Sequence, residues 1–102
     1  MDMLEPFVAL VIYPTTPGGQ SRQADNLARI ASEKIRDLPG FLRGRVFVSE
    51  DGESLVTLTE WSDRESFLLC RQSEFGQAAI LLAADLRPQA HWLRQHATVE
   101  AP

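Results

Sequence analysis

The chain has 102 residues, 44% of them hydrophobic, which suits one core and a single domain over 1–102. Ten lysines and arginines against 14 acidic residues leave a net charge of -4, which offers no broad attraction for nucleic acid or an anionic membrane. Cys70 is the only cysteine, the start does not read as a signal peptide, and no apolar run nears the roughly 20 residues of a membrane span. A soluble protein of the reducing cytoplasm is the expectation. Two histidines and one cysteine do not fall at zinc-like spacing, and Gly18-Gly19 lacks the residues that complete a phosphate loop.

Phe7 to Tyr13 is rich in β-branched and aromatic residues and ends at Pro14, which predicts a first strand. It is apolar on both faces, so each face needs a cover. After a loop rich in proline and glycine, Ser21 is the expected N-cap of a helix to about Asp37. Ala24, Leu27, Ala28, Ala31, Ile35 and Leu38 make its apolar stripe, and Arg22, Asp25, Arg29, Glu33 and Arg36 take the other faces.

Pro39-Gly40 breaks that helix. Strands are predicted over Phe41 to Ser49 and Ser54 to Trp61, joined by a hairpin turn at Glu50-Asp51-Gly52-Glu53. Alternation puts Val56 and Leu58 on one side of the third strand, and Leu55, Thr57, Thr59 and Trp61 on the other. Asp63 is the expected cap of a short helix carrying Ser66, Phe67, Leu69 and Cys70. Ser73 is the expected cap of another, running through Ala84 with Phe75, Ala78, Ala79 and Leu82 inward. A fourth strand over His91 to Val99 completes the order β-α-β-β-α-β. This is an α+β, ferredoxin-like split βαβ fold: an antiparallel sheet with helices on one face. Its other apolar face is expected to be covered by a second copy, making a homodimer.

Three pieces in order, Phe7-Val-Ala-Leu-Val-Ile-Tyr-Pro14, Leu38-Pro-Gly-Phe-Leu42 and Thr59-Glu60-Trp61-Ser62-Asp63-Arg64-Glu65-Ser66-Phe67, resemble the antibiotic biosynthesis monooxygenase family. The likeness runs from about residue 7 to residue 84. It is nearest to the small enzymes that oxidise anthrone-type polyketide rings without flavin or metal. The resemblance implies a dimeric α/β barrel, a cavity between each sheet and its helices, a flat polycyclic phenol as substrate, O2 as co-substrate, and no cofactor. Trp61 matches the tryptophan that closes the family's third strand. Thr57 stands where the anthrone oxidisers carry asparagine, and Phe67 where they carry tyrosine. In the family's haem-degrading branch the axial histidine aligns with Ile80 and the distal-pocket tryptophan with Cys70, so the resemblance to that branch lacks its means of holding iron.

The expected function is therefore cofactor-independent monooxygenation of an anthrone- or naphthacenone-like intermediate in antibiotic biosynthesis. The alternatives are an aromatic polyketide cyclase of the same fold and a ligand-binding or stress-related dimer without chemistry. The candidate catalytic residues are Trp61, as a stacking wall, Thr57, as a hydrogen-bonding group, and His91 or His96, as a general base. Five positions separate the histidines, so on one regular strand they face opposite ways. Thr59, Phe67, Trp92, Tyr13 and Arg43 are the candidate substrate-binding residues. Each has a plain structural reading beside the functional one: core or interface for the aromatics, ordinary strand residues for the threonines, surface for the arginine and the histidines. Cys70 reads as a small buried thiol, with Arg71 beside it as a group able to lower its pKa.

Overall fold

The computed structural model describes residues 6–74, 76–77 and 87–102. Four strands, β1 (Phe7–Pro14), β2 (Phe41–Val48), β3 (Ser54–Trp61) and β4 (Gln89–Arg94), form one antiparallel sheet in the order β2-β3-β1-β4. Helices α1 (Gln20–Ile30) and α2 (Arg64–Gln72) complete a ferredoxin-like α+β fold, as the sequence predicts. The predicted inward positions Phe75, Ala78, Ala79 and Leu82, together with Ile80, lie outside the described residues. Among the described residues no helix is long and apolar enough to cross a membrane, and no group of three or more His, Cys, Asp or Glu is placed to hold a metal ion.

Register decides which side chains meet the helices, because directly opposed residues of an antiparallel pair share a face. Phe7 opposes Trp61, Ala9 opposes Thr59, Val11 opposes Thr57 and Tyr13 opposes Leu55. Trp92 of β4 opposes Ala9, and Gly44 and Val46 of β2 oppose Thr59 and Thr57. All of these point toward the helices. A bulge between Phe41 and Arg43 adds one residue to β2, so Phe41 also opposes Trp61, while Arg43, Arg45 and Phe47 turn to the other face.

Two packed nuclei form on the helix side. Tyr13 and Leu55 are buried beneath α1, with Val11, Ala24, Leu27 and Val46 packed against them. Beneath α2 lies an aromatic nucleus centred on Trp61, which is 1% exposed. Trp61 meets Phe41 at 5.2 Å and Phe67 at 5.9 Å between ring centroids, and Phe67 in turn meets Phe7 at 5.2 Å and Trp92 at 5.5 Å. The contacts of Trp61 are edge-on, the arrangement that ring quadrupoles favour.

Loops hold this assembly in register. The Gln20 side chain donates to the carbonyls of Ser49 and Ser54, at 3.0 and 2.8 Å, and so ties the start of α1 to the β2–β3 hairpin. Asp51 closes that hairpin by accepting from Ser49 Oγ and the Glu53 amide, and these bonds hold its carboxyl below the usual range. Asp63 caps α2 as expected, accepting from the Ser66 amide at 2.8 Å. Ser73 Oγ accepts from the Gly76 amide at 3.0 Å, the cap bond expected there.

Three local expectations are corrected. Gly19, not Ser21, is the N-cap of α1, because Thr16 to Gly19 close a turn through the Thr16 carbonyl and Ser21 already lies inside the helix. The α-helix ends at Ile30 and continues as a π-helical turn, Ala31–Ile35. β4 covers Gln89–Arg94 rather than His91 to Val99. Its one neighbour among the described residues is β1, which begins at Phe7 opposite Arg94, and Pro6 has no N–H to extend the ladder.

Gly40 has φ +83°, and a methyl group there would overlap Ser66 and stand 2.9 Å from Ser62 Oγ. The turn therefore lies directly against the start of α2, where Ser62 donates its amide to the Gly40 carbonyl at 2.7 Å. Gly40→Ala is expected to lower stability by about 2 kcal/mol or more through left-handed strain and this overlap, read as a lowered urea midpoint with an unchanged slope.

Candidate functional site

A cavity of about 480 Å³ opens between the sheet and α1, within the size range of small-molecule sites. Its apolar walls include Leu27, Ile30, Ala31 and Ile35 from α1 and the π turn, and Phe41 and Val46 from β2. Its polar groups come from Tyr13, Thr57 and Thr59 on the sheet, with Ser32, Arg36 and Arg45 also on its border. Three residues chosen from sequence, Tyr13, Thr57 and Thr59, are thus brought to one slot.

Tyr13 is 7% exposed, and burial pushes its phenol above the ordinary value of 10.0. A hydrogen bond from the Thr57 hydroxyl partly offsets that rise. At neutral pH the phenol therefore keeps its proton and serves as a donor, not a base. Thr59 is oriented from behind: Trp61 Nε1 donates to Thr59 Oγ1 at 2.9 Å, which leaves the threonine O–H free to donate toward the slot.

Trp61 is not in the slot wall; it reaches the site through that hydrogen bond while its rings are enclosed in the aromatic nucleus. Phe67 and Trp92 also belong to the nucleus. Trp92 is 41% exposed, with the Arg64 and Arg71 guanidinium carbons 5.3 and 5.4 Å from its ring centroid.

The structure places the remaining candidates elsewhere. His91 opposes Leu10, on the face that turns away from the helices, and His96 lies beyond the end of β4, so neither lines the slot. Arg43 also sits on that outer face, where its Nε meets Glu60 Oε2 at 2.9 Å; Arg45 approaches the same oxygen at 3.4 Å. Cys70 is the small buried thiol read from the sequence, and burial raises its pKa.

Ser32 and Arg36 at the slot escape the sequence reading. Arg36 belongs to the polar face of a regular helix, yet it borders the slot because the π turn carries it there. An i to i+5 hydrogen bond has no sequence signature comparable to the apolar stripe of an α-helix.

Thr59→Val keeps the side-chain shape but strips the indole N–H of its acceptor in a buried setting. A loss of about 1–3 kcal/mol is expected in urea unfolding, whereas Thr59→Ser, which retains the acceptor, should recover much of it.

The profile of the family described as "Antibiotic biosynthesis monooxygenase" matches residues 6–80. Tetracenomycin-F1 monooxygenase of Streptomyces glaucescens is 28% identical over 61 residues, which are 60% of this chain and 54% of that protein, so the match spans about half of the relative's length. Among solved structures, a monooxygenase from the gene ActVA-Orf6 of Streptomyces coelicolor, in complex with Nanaomycin D, superposes with a TM-score of 0.76 at 21% identity. The superposition covers 99% of this chain and 96% of that one. A conserved protein from Methanosarcina mazei gives a TM-score of 0.77 at 18% identity, covering 91% and 95% of the two chains. These structures share the fold, and the profile match over residues 6–80 shows that the chain belongs to the antibiotic biosynthesis monooxygenase family.

Proposed function

We propose that this protein is a monooxygenase that oxidises a flat polycyclic aromatic polyketide with O2, without flavin or metal. The observation that carries this reading is the slot beneath α1, in which an apolar enclosure meets a protonated phenol at Tyr13 and two threonine hydroxyls. Membership of the monooxygenase family supports the reaction class. The names of the relatives, tetracenomycin F1 in one and Nanaomycin D in the other, support a polycyclic ligand.

In an anthrone-type substrate, loss of a ring C–H proton gives a delocalised phenolate. That anion passes one electron to O2, the two radicals join to form a C–O bond, and the resulting hydroperoxide loses water to leave a quinone carbonyl. One oxygen atom enters the product and the other leaves as water, so the substrate supplies all the electrons. Tyr13 and Thr59 donate to the developing oxyanion, and the apolar wall removes the water that would otherwise stabilise the unreacted anion. Thr57 holds the phenol in place. The substrate's own acidity and solvent provide the first proton step, because neither histidine reaches the slot.

The working unit in this proposal is a homodimer in the cytoplasm, where a lone unbridged cysteine is at home. Val8, Leu10, Ile12, Val56, Leu58, Phe47 and Leu93 all share the outer face of the sheet, and burying several of them at about 1.5–3 kcal/mol each would hold two copies together. A second reading, ligand binding without turnover, is favoured by Thr57 and Phe67 standing where the anthrone oxidisers carry asparagine and tyrosine.

Two measurements test these statements. O2 uptake with an anthrone or naphthacenone, in protein free of added flavin and metal, should be catalysed, and Tyr13→Phe should slow it about tenfold or more at an unchanged fold; binding without uptake supports the second reading. Sedimentation at micromolar concentration should give twice the chain mass, and Leu10→Asp, at the centre of the outer face, should give the single chain; a wild-type monomer overturns the dimer.

A further inference from the structure

Arg36 is the unusual member of the slot. In a regular α-helix, at 3.6 residues per turn, its amide would donate to the Ser32 carbonyl and it would stand about 140° round from Ala31. Instead its amide donates to the Ala31 carbonyl at 2.9 Å, an i to i+5 bond that widens the turn and brings Arg36 beneath Ala31, at the slot's border. The guanidinium is exposed at the mouth, and no carboxylate pairs with it among the described residues. The nearby Glu33 is turned to Arg29 at 3.8 Å, and Glu60 is occupied by Arg43 and Arg45. Thus the Arg36 guanidinium at the end of the helix wall has no acidic partner among the described residues.

Two hydroxyls on the sheet also offer protons toward the slot. The Tyr13 phenol is protonated and the Thr59 hydroxyl has its acceptor side taken by the indole, while the Arg45 guanidinium is engaged by Glu60 on the outer face. We propose that the slot selects an aromatic anion, its rings lying between Leu27, Ile35 and Val46 and its acidic oxygen group paired with Arg36 at the mouth. The inference rests on the slot being the ligand site of the proposed function. It adds a charge requirement that the reading as an oxygenase does not contain. A carboxylate and an ionised phenol satisfy it by the same chemistry, as an oxygen anion accepting from a guanidinium.

The test is direct binding of anthraquinone-2-carboxylate and its neutral amide, anthraquinone-2-carboxamide, to the full chain and to Arg36→Gln by titration calorimetry. Arg36 is exposed, so the substitution should leave the melting temperature unchanged. The wild-type protein should prefer the carboxylate by about tenfold, the preference should shrink as salt is raised, and Arg36→Gln should abolish it while leaving amide affinity within about twofold. Equal affinity of the wild-type protein for the two probes overturns the inference, as does a carboxylate preference that survives in Arg36→Gln, or no binding of either probe. An Arg36-dependent preference in a protein that consumes no O2 sinks the oxygenase reading and leaves the anion site standing. Turnover of charged and neutral anthrones with equal kcat/KM does the opposite.

Discussion

The pairing of β1 with β3 is the constraint on which the rest of the molecule depends. Because Phe7 opposes Trp61 and Tyr13 opposes Leu55, one register sends an aromatic pair to the α2 end of the sheet and a phenol with an aliphatic anchor to the α1 end. A shift of one residue would turn Val8, Leu10 and Ile12 toward the helices and put Tyr13 outside. The slot and the aromatic nucleus would vanish together. Hydrogen bonds from Gln20 to both strands of the hairpin, and from Thr15 to Glu53 and Gly52, tie β1 and α1 to the same turn and so oppose that slip.

The nucleus and the slot divide the work of one sheet face. Large rings beneath α2 exclude water and leave no room for a ligand, whereas Thr57, Thr59, Gly44 and Val46 beneath the end of α1 are small and keep the slot open. The hydrogen bond from Trp61 to Thr59 joins the two halves, so the tryptophan meets the slot through a hydroxyl it holds and not through its own rings. That bond ties the orientation of one slot hydroxyl to the packing of the whole nucleus.

Most of the fold was legible because its signals are local and periodic. Phe7 to Tyr13, the Asp51-Gly52 turn, the Pro39-Gly40 break and the Asp63 cap each announce themselves within a few residues, and alternation along β3 correctly separates Leu55, Thr57, Thr59 and Trp61 from Val56 and Leu58. What was not legible depends on partners distant in the chain. The end of β4 is set by where β1 begins, so His96 falls off the sheet; the bulge at Leu42 is visible only against β3; and the π turn that moves Arg36 breaks the very periodicity by which the helix is recognised. For the same reason Tyr13 and the threonines were found while Arg36 was missed.

Both faces of the sheet are largely apolar, and they differ in how their polar groups are partnered. On the outer face Arg43 and Arg45 share the one carboxylate of Glu60, a cluster worth at most about 1 kcal/mol that keeps one positive charge in excess. At the slot, donors and a guanidinium gather, and no carboxylate borders it among the described residues. Two effects oppose each other on an acidic ligand there: donors and the guanidinium favour its anion, while the apolar walls disfavour any charge, as burial already does for the Tyr13 phenol. The position of the acidic oxygen, at the guanidinium in the mouth or deep among the apolar walls, therefore decides which effect wins.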